Sequence, residues 1–191
     1  MALEKTDEFM CQAWGEDLYG TGMALLEVDR EKVVVKLPMT PDGVTAASGL
    51  IKSGVRVCLT ACYNKNQALL AGAVGAEYMA PYLGHMQYFG KDGAEECEEM
   101  MEICKGLGSD TRVLVASVRY AETMAKLAAA GMDTFTFSPD VARELFDEPL
   151  TTRAANVFED DARSVSSEGN YGNRGRTQKT FNSPFQGSNH I

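Results

Sequence analysis

The 191-residue chain carries 27 acidic and 18 basic side chains, a formal charge of −9. Its length suits one sizeable core. With 45% hydrophobic and 24% charged residues, its composition is that of a water-soluble globular protein, and no apolar run approaches the roughly 20 residues that cross a bilayer. A nucleic-acid binder needs a basic stripe, and the body of the chain has none, so neither nucleic acid nor membrane is expected as a partner. The acidic excess serves solubility. It would repel a phosphorylated substrate unless a local cation or a helix N-terminus captured it.

Met1–Glu8 holds Glu4, Asp7 and Glu8 and reads neither as a secretory signal nor as an Arg-rich transit peptide. The five cysteines, Cys11, Cys58, Cys62, Cys97 and Cys104, form no CxxC pair. Cys11 and Cys58 lie in apolar runs, where a free thiol behaves as a small hydrophobe. A reducing, cytoplasmic setting is the simplest reading. Neither histidine, His85 or His190, is near a cysteine pair, so no zinc or other metal site is expected.

In chain order, the predicted strands are Glu8–Ala13, Lys32–Leu37, Arg56–Thr60, Ala76–Tyr82, Arg112–Ser117 and Met132–Phe137. The second, third and fifth are β-branched and almost continuously apolar, as strands buried on both faces are. Predicted helices fill the gaps: Glu16–Asp29, Asp42–Ser53, Asn66–Val74, Ala94–Lys105, Tyr120–Ala130 and Pro139–Phe146. Several are followed by Gly, the residue suited to the left-handed position past a helix end. Six β–α units predict either a (β/α)8 barrel or an open doubly wound sheet. No GxGxxG or Walker A pattern follows a strand, so nothing favours the nucleotide-binding form of the open sheet. Beyond Arg163 the chain turns rich in Ser, Gly, Asn and Gln. This divides it into a β/α body, residues 1–163, and a polar tail, residues 164–191, expected to be disordered.

Lys36 is the most informative residue. It ends the apolar run Val33-Val34-Val35 and is followed by Leu37-Pro38, which places it near the C-terminal end of its strand. In a parallel α/β barrel that end is the catalytic face. Burial of a lysine disfavours the ammonium form and frees an amine to attack a carbonyl. The same position also suits a strand-end lysine snorkelling to solvent. Thr60, Tyr82 and Ser117 end three further predicted strands. Their hydroxyls could line one pocket and pass protons through water, or could simply terminate strands and cap helices. Gln12 is a polar residue within Phe9–Trp14, read as a buried amide that a water, a substrate hydroxyl or the backbone would satisfy.

The segments VVVKLPMTPDGVTAASGL, GVRVCLTACYNKNQALLAGAVGAEYMAPYLG, RVLVAS and GMDTFTFSPDVARELFDEPLT together resemble the transaldolase family, and most closely its fructose-6-phosphate aldolase branch. The resemblance covers about Phe9 to Arg163. It implies a (β/α)8 barrel and a Schiff-base aldol reaction of sugar-phosphate metabolism, without cofactor or metal. A dihydroxyacetone unit would be transferred or cleaved on Lys36. It further implies that Gln12, Thr60 and Tyr82 hold a catalytic water and move protons. Ser117 would contact a substrate phosphate or hydroxyl, and Cys58 and Ala80 would form pocket wall. The partner implied is a sugar phosphate or small ketose, with a homo-oligomer possible.

Two departures from the family pattern stand out. The family's arginine after the PY-L-G run, which grips phosphate, is His85 here, and an imidazole lacks the bidentate fork. The two strands that precede the Phe9 strand in the family, with their Asp and Asn, have no counterpart before Phe9, so the expected barrel lacks its first two strands. Three readings follow: an active transaldolase or fructose-6-phosphate aldolase, a catalytically impaired remnant of one, and a Schiff-base aldolase for unphosphorylated ketones.

Overall fold

The structure is a computed structural model that describes residues 4–167. It divides into two compact units between Asp147 and Glu148. The first is built on strands β1 (Phe9–Gln12), β2 (Val33–Pro38), β3 (Val57–Cys62), β4 (Tyr78–Pro81), β5 (Arg112–Val113), β6 (Val115–Val118) and β7 (Phe135–Phe137). Helices α1 (Leu18–Leu25), α2 (Pro41–Lys52), α3 (Gln67–Val74), α4 (Leu83–Tyr88), α5 (Gly93–Gly106), α6 (Ala121–Ala129) and α7 (Pro139–Glu144) alternate with them. All six predicted strands are present, the fifth split into β5 and β6. The short helix α4 was not predicted, because six residues are too few to show a helical period.

The strands of the main sheet are parallel and lie side by side in chain order, β1-β2-β3-β4-β5. A parallel β6–β7 pair continues the series through a bridge between Tyr82 and Ala116. A doubly wound sheet reverses its strand order part-way, which sends helices to both faces. Here the order never reverses, and right-handed crossovers then place every helix on one side. The core agrees. Val33, Val35, Leu37, Val57, Leu59 and Met79 pack in the large helix-side cluster, while Val34, Cys58, Tyr78, Ala80 and Leu114 form a separate cluster on the other face. Among the described residues β1 pairs only with β2, and β7 only with β6.

Local chemistry sets the element ends. Thr40 accepts from the Gly43 amide and Pro41 opens α2. Asp92 caps α5 and Ser138 caps α7. Each such cap contributes about 1 kcal/mol. Val33, Val34, Val35 and Leu37 are all fully buried, and each stabilises the fold by roughly 1.5–3 kcal/mol relative to an exposed side chain.

At the N-terminal ends of the strands, Arg56 donates two hydrogen bonds of 2.7 Å to Glu77 and a third to Glu8. Arg112 pairs with Glu77 at 3.1 Å and lies over the Tyr78 ring, 4.2 Å from its centroid. Hydrogen bonding from Arg56, with the charges of Arg56 and Arg112, holds the Glu77 carboxyl below its ordinary value of 4.5. A carboxyl depressed on folding contributes stability that is present above its unfolded value and lost as pH falls through the folded one. The melting temperature should therefore drop as pH is lowered below about 4.5, and Glu77→Gln should flatten that acid limb. An unchanged limb in Glu77→Gln, followed by circular dichroism, would exclude the network as its source.

The second unit contains α8 (Pro149–Ser167). Leu150, Val157, Phe158 and Val165 recur on one stripe of this helix and are all exposed. Residues 164–167, assigned to the polar tail from composition, form its last turn. The rest of that segment lies outside the described residues. No helix among the described residues is long and apolar enough to cross a membrane.

Candidate active site

Strand register builds the site on the helix-free face. Gln12, Lys36, Cys58, Tyr78 and Arg112 stand opposite one another on adjacent strands and form one row. Residues so paired point to the same face, and Cys58 and Tyr78 place that face away from the helices. Two residues further along, Pro38, Thr60 and Ala80 form the next row. One strand across and two residues along sets the Lys36 and Thr60 Cα atoms roughly 8 Å apart, within reach of one bound water between their side chains. Lys36 is half-buried, amid fully buried Val35, Leu37 and Cys58.

Thr60 is 3% exposed, and its hydroxyl donates to the Tyr82 hydroxyl at 3.2 Å. Tyr82 stands just past β4, where its backbone bridges to Ala116. Its ring meets Tyr63 and His85 edge-on, with centroids 5.7 and 5.4 Å away. The Tyr63 hydroxyl lies 3.3 Å from His85 Nδ1. Ala61, directly after Thr60, has φ 60° at a bulge in β3, and Ser117 has φ 59°. Left-handed backbone at two non-glycine residues costs of order 1–3 kcal/mol each, and such strain gathers where a site must hold a particular geometry. Burial pushes the Cys58 thiol up to about 12, although the nearby Lys36 charge acts in the opposite direction. Cys58 therefore stays a protonated thiol at neutral pH and not a nucleophile.

The sequence expectations meet this geometry unevenly. Lys36, Thr60, Tyr82 and Ser117 occupy the C-terminal ends of β2, β3, β4 and β6. Cys58 and Ala80 are fully buried on the same face. Gln12 is not the buried amide expected from its apolar setting. It is exposed, because β1 is the edge strand among the described residues, and its Nε2 donates to the Ala13 carbonyl at 2.9 Å. The residue itself stands opposite Lys36 in the strand register. Ser117 is set apart. It lines a cavity of about 480 Å³ at the ends of β6 and β7, with Arg119, Thr136 and Ser138, and Lys36 is not among the lining residues. Among the described residues no group of His, Cys, Asp or Glu could hold a metal ion.

Sequence reasoning missed Arg119 and Tyr63. Arg119 follows Ser117 by two residues and makes no ion pair among the described residues. Its stem lies against Gly84, where a Cβ would come 2.8 Å from Arg119 Nε and 2.4 Å from the Ser117 carbonyl. The signal was present in RVLVASVRY: a lone cation beyond a strand end, in an acidic protein.

Over residues 15–176 the chain matches the family described as Transaldolase/Fructose-6-phosphate aldolase. The chain belongs to this family. A probable transaldolase of Methanococcus maripaludis (strain C7) is 39% identical over 128 residues, 67% of this chain and 60% of the relative. One from Leptospira biflexa is 35% identical over 136 residues, 71% of this chain and 64% of the relative. One from Chlorobium limicola is 37% identical over 158 residues, 83% of this chain and 67% of the relative. The matched part of this transaldolase-family chain thus spans 60% to 67% of the length of these relatives. The match includes Lys36, Thr60, Tyr82, His85 and Ser117, but begins after Gln12.

Proposed function

We propose that the chain carries the Schiff-base site of a transaldolase or fructose-6-phosphate aldolase reaction, on strands arranged as in a (β/α)8 barrel. One observation carries the reading. Lys36 projects from the helix-free face, in register with Gln12 and Cys58, one row below a Thr60 hydroxyl already bonded to Tyr82.

In this reading the Lys36 amine adds to the carbonyl carbon of a ketose. Loss of water gives an iminium, which draws electrons from the adjacent carbon–carbon bond. A water held by Thr60, Tyr82 and the Gln12 carbonyl takes the proton of the sugar hydroxyl, the bond breaks, and an aldehyde leaves. The enamine left on Lys36 holds the dihydroxyacetone unit. Protonation and hydrolysis release it, as in an aldolase, and addition to a second aldehyde transfers it, as in a transaldolase. The far end of a phosphorylated substrate would meet Ser117 and the Arg119 guanidinium. Borohydride reduction in the presence of a ketose, read by peptide mass spectrometry, tests the reading: the added mass should fall on Lys36 and on no other lysine.

A second reading, an aldolase for unphosphorylated ketones, is favoured by His85. Its ring is held between Tyr63 and Tyr82, where the family carries a phosphate-gripping cation. His85→Arg should raise the preference for phosphorylated over unphosphorylated ketose by about 1–3 kcal/mol, roughly 5- to 150-fold in the ratio of kcat/KM. An unchanged ratio would show that residue 85 does not face the phosphate end.

A further inference from the structure

We infer that Tyr63 is a positioning residue for His85: its hydroxyl donates to Nδ1 and so directs the His85 Nε2–H toward a hydroxyl group of the substrate. The inference rests on the aldol reading above and narrows it to ketoses whose end near residue 85 is an uncharged hydroxyl.

Tyr63 is itself firmly held. Its amide donates to Gln67 Oε1 at 2.7 Å, and its carbonyl accepts from Lys91 Nζ at 2.6 Å. The Tyr63 and His85 rings are nearly parallel, 9° apart, with centroids separated by 6.4 Å. Tyr82 closes the third side edge-on, at interplanar angles of 71° to Tyr63 and 79° to His85. The imidazole is therefore fixed in plane by two aromatic neighbours and in rotation by one hydrogen bond. Which nitrogen of a neutral imidazole carries the proton is set by the bond its other nitrogen makes. Among the described residues, the Tyr63 hydroxyl is the group that His85 Nδ1 meets, at 3.3 Å. A phenol that donates there leaves the imidazole proton on Nε2, which has no hydrogen-bond partner among the described residues. A single N–H donor beside Tyr82 suits a sugar hydroxyl oxygen. It offers neither the charge nor the fork that a phosphate dianion selects.

The experiment uses the full chain labelled with 15N-histidine. Only His85 and His190 contribute signals, and His85→Gln assigns them. At about pH 8.5, where an ordinary imidazole is neutral, long-range proton–nitrogen correlation should show His85 as the Nε2–H tautomer, and Tyr63→Phe should give a tautomer mixture. Tyr63→Phe keeps the ring and loses only the hydroxyl. It should raise KM for an unphosphorylated ketose about three- to tenfold, the range for one neutral hydrogen bond, with kcat within twofold. In a His85→Gln background, which retains an amide donor but has no Nδ1, Tyr63→Phe should change KM less than twofold, because the two residues act as one unit. An Nδ1–H tautomer in the wild-type chain, or a Tyr63→Phe variant with unchanged tautomer and KM, would overturn the inference. Absence of a borohydride adduct on Lys36 would instead overturn the aldol reading and leave the tautomer spectra to decide how Tyr63 positions His85.

Discussion

Lys36→Met should abolish the reducible ketose adduct and lower aldol turnover by on the order of 10³-fold or more, as loss of a covalent nucleophile does. Methionine keeps the apolar stem on the face it shares with Cys58, so the fold should survive with a change of less than about 1.5 kcal/mol. The lost amine is also the charge that acts on Cys58. Lys52, exposed in the last turn of α2, is the control, and Lys52→Met should trap as much adduct as the unaltered chain. Intact-mass spectrometry before and after reduction provides the measurement. Equal trapping by Lys36→Met would remove the Schiff-base assignment, and equal loss in Lys52→Met would point to unfolding rather than chemistry.

Gly84→Ala should be a strongly damaging one-carbon change near the site. The added Cβ would stand 2.4 Å from the Ser117 carbonyl and 2.9 Å from Arg119 Cγ. The arginine stem can swing aside, but the Ser117 carbonyl belongs to β6 and cannot move without shifting the strand end. Gly84 is buried in the first turn of α4, directly before His85. Overpacking at such a contact costs about 1–3 kcal/mol, and somewhat more where backbone must yield. For a chain of this size that is roughly 2–12 °C in melting temperature. Because the displaced groups are Ser117, Arg119 and His85, use of phosphorylated ketoses should suffer more than adduct formation on Lys36. A Gly84→Ala chain with unaltered melting temperature would show that α4 and β6 are not packed this closely in solution.

Much of this molecule is legible without coordinates. The continuous β-branched runs of β2 and β3 can only be strands buried on both sides. Thr40-Pro41, Asp92 and Ser138-Pro139 announce helix starts through hydrogen bonds made within a few residues. Lys36 stands out because a charge at the end of such a run has to be used or solvated. The strand and helix-start readings succeed because the forces behind them act locally along the chain. The resemblance to transaldolases extended them to Thr60, Tyr82 and Ser117, and the family match over residues 15–176 bears out the family.

Other features depended on which strand lies beside which. Periodicity alone left a doubly wound sheet open, and only the unreversed order β1 to β5, with helices on one face, decided against it. Gln12 sits in an apolar run yet is exposed, because burial depends on a neighbouring strand and not on neighbouring residues. Tyr63 and His85 are 22 positions apart, Gly84 meets Arg119 across 35, and Glu8 reaches Tyr78 across 70. Nothing in local composition marks such pairs. The sequence by itself determined the alternation of strand and helix and the family, and it singled out Lys36 as the lysine proposed for carbonyl chemistry. The tertiary structure alone decided the row that joins Lys36 to Gln12 and Cys58, the bond from Thr60 to Tyr82 and the aromatic brace on His85, because those contacts are set by parallel register between strands distant in the chain.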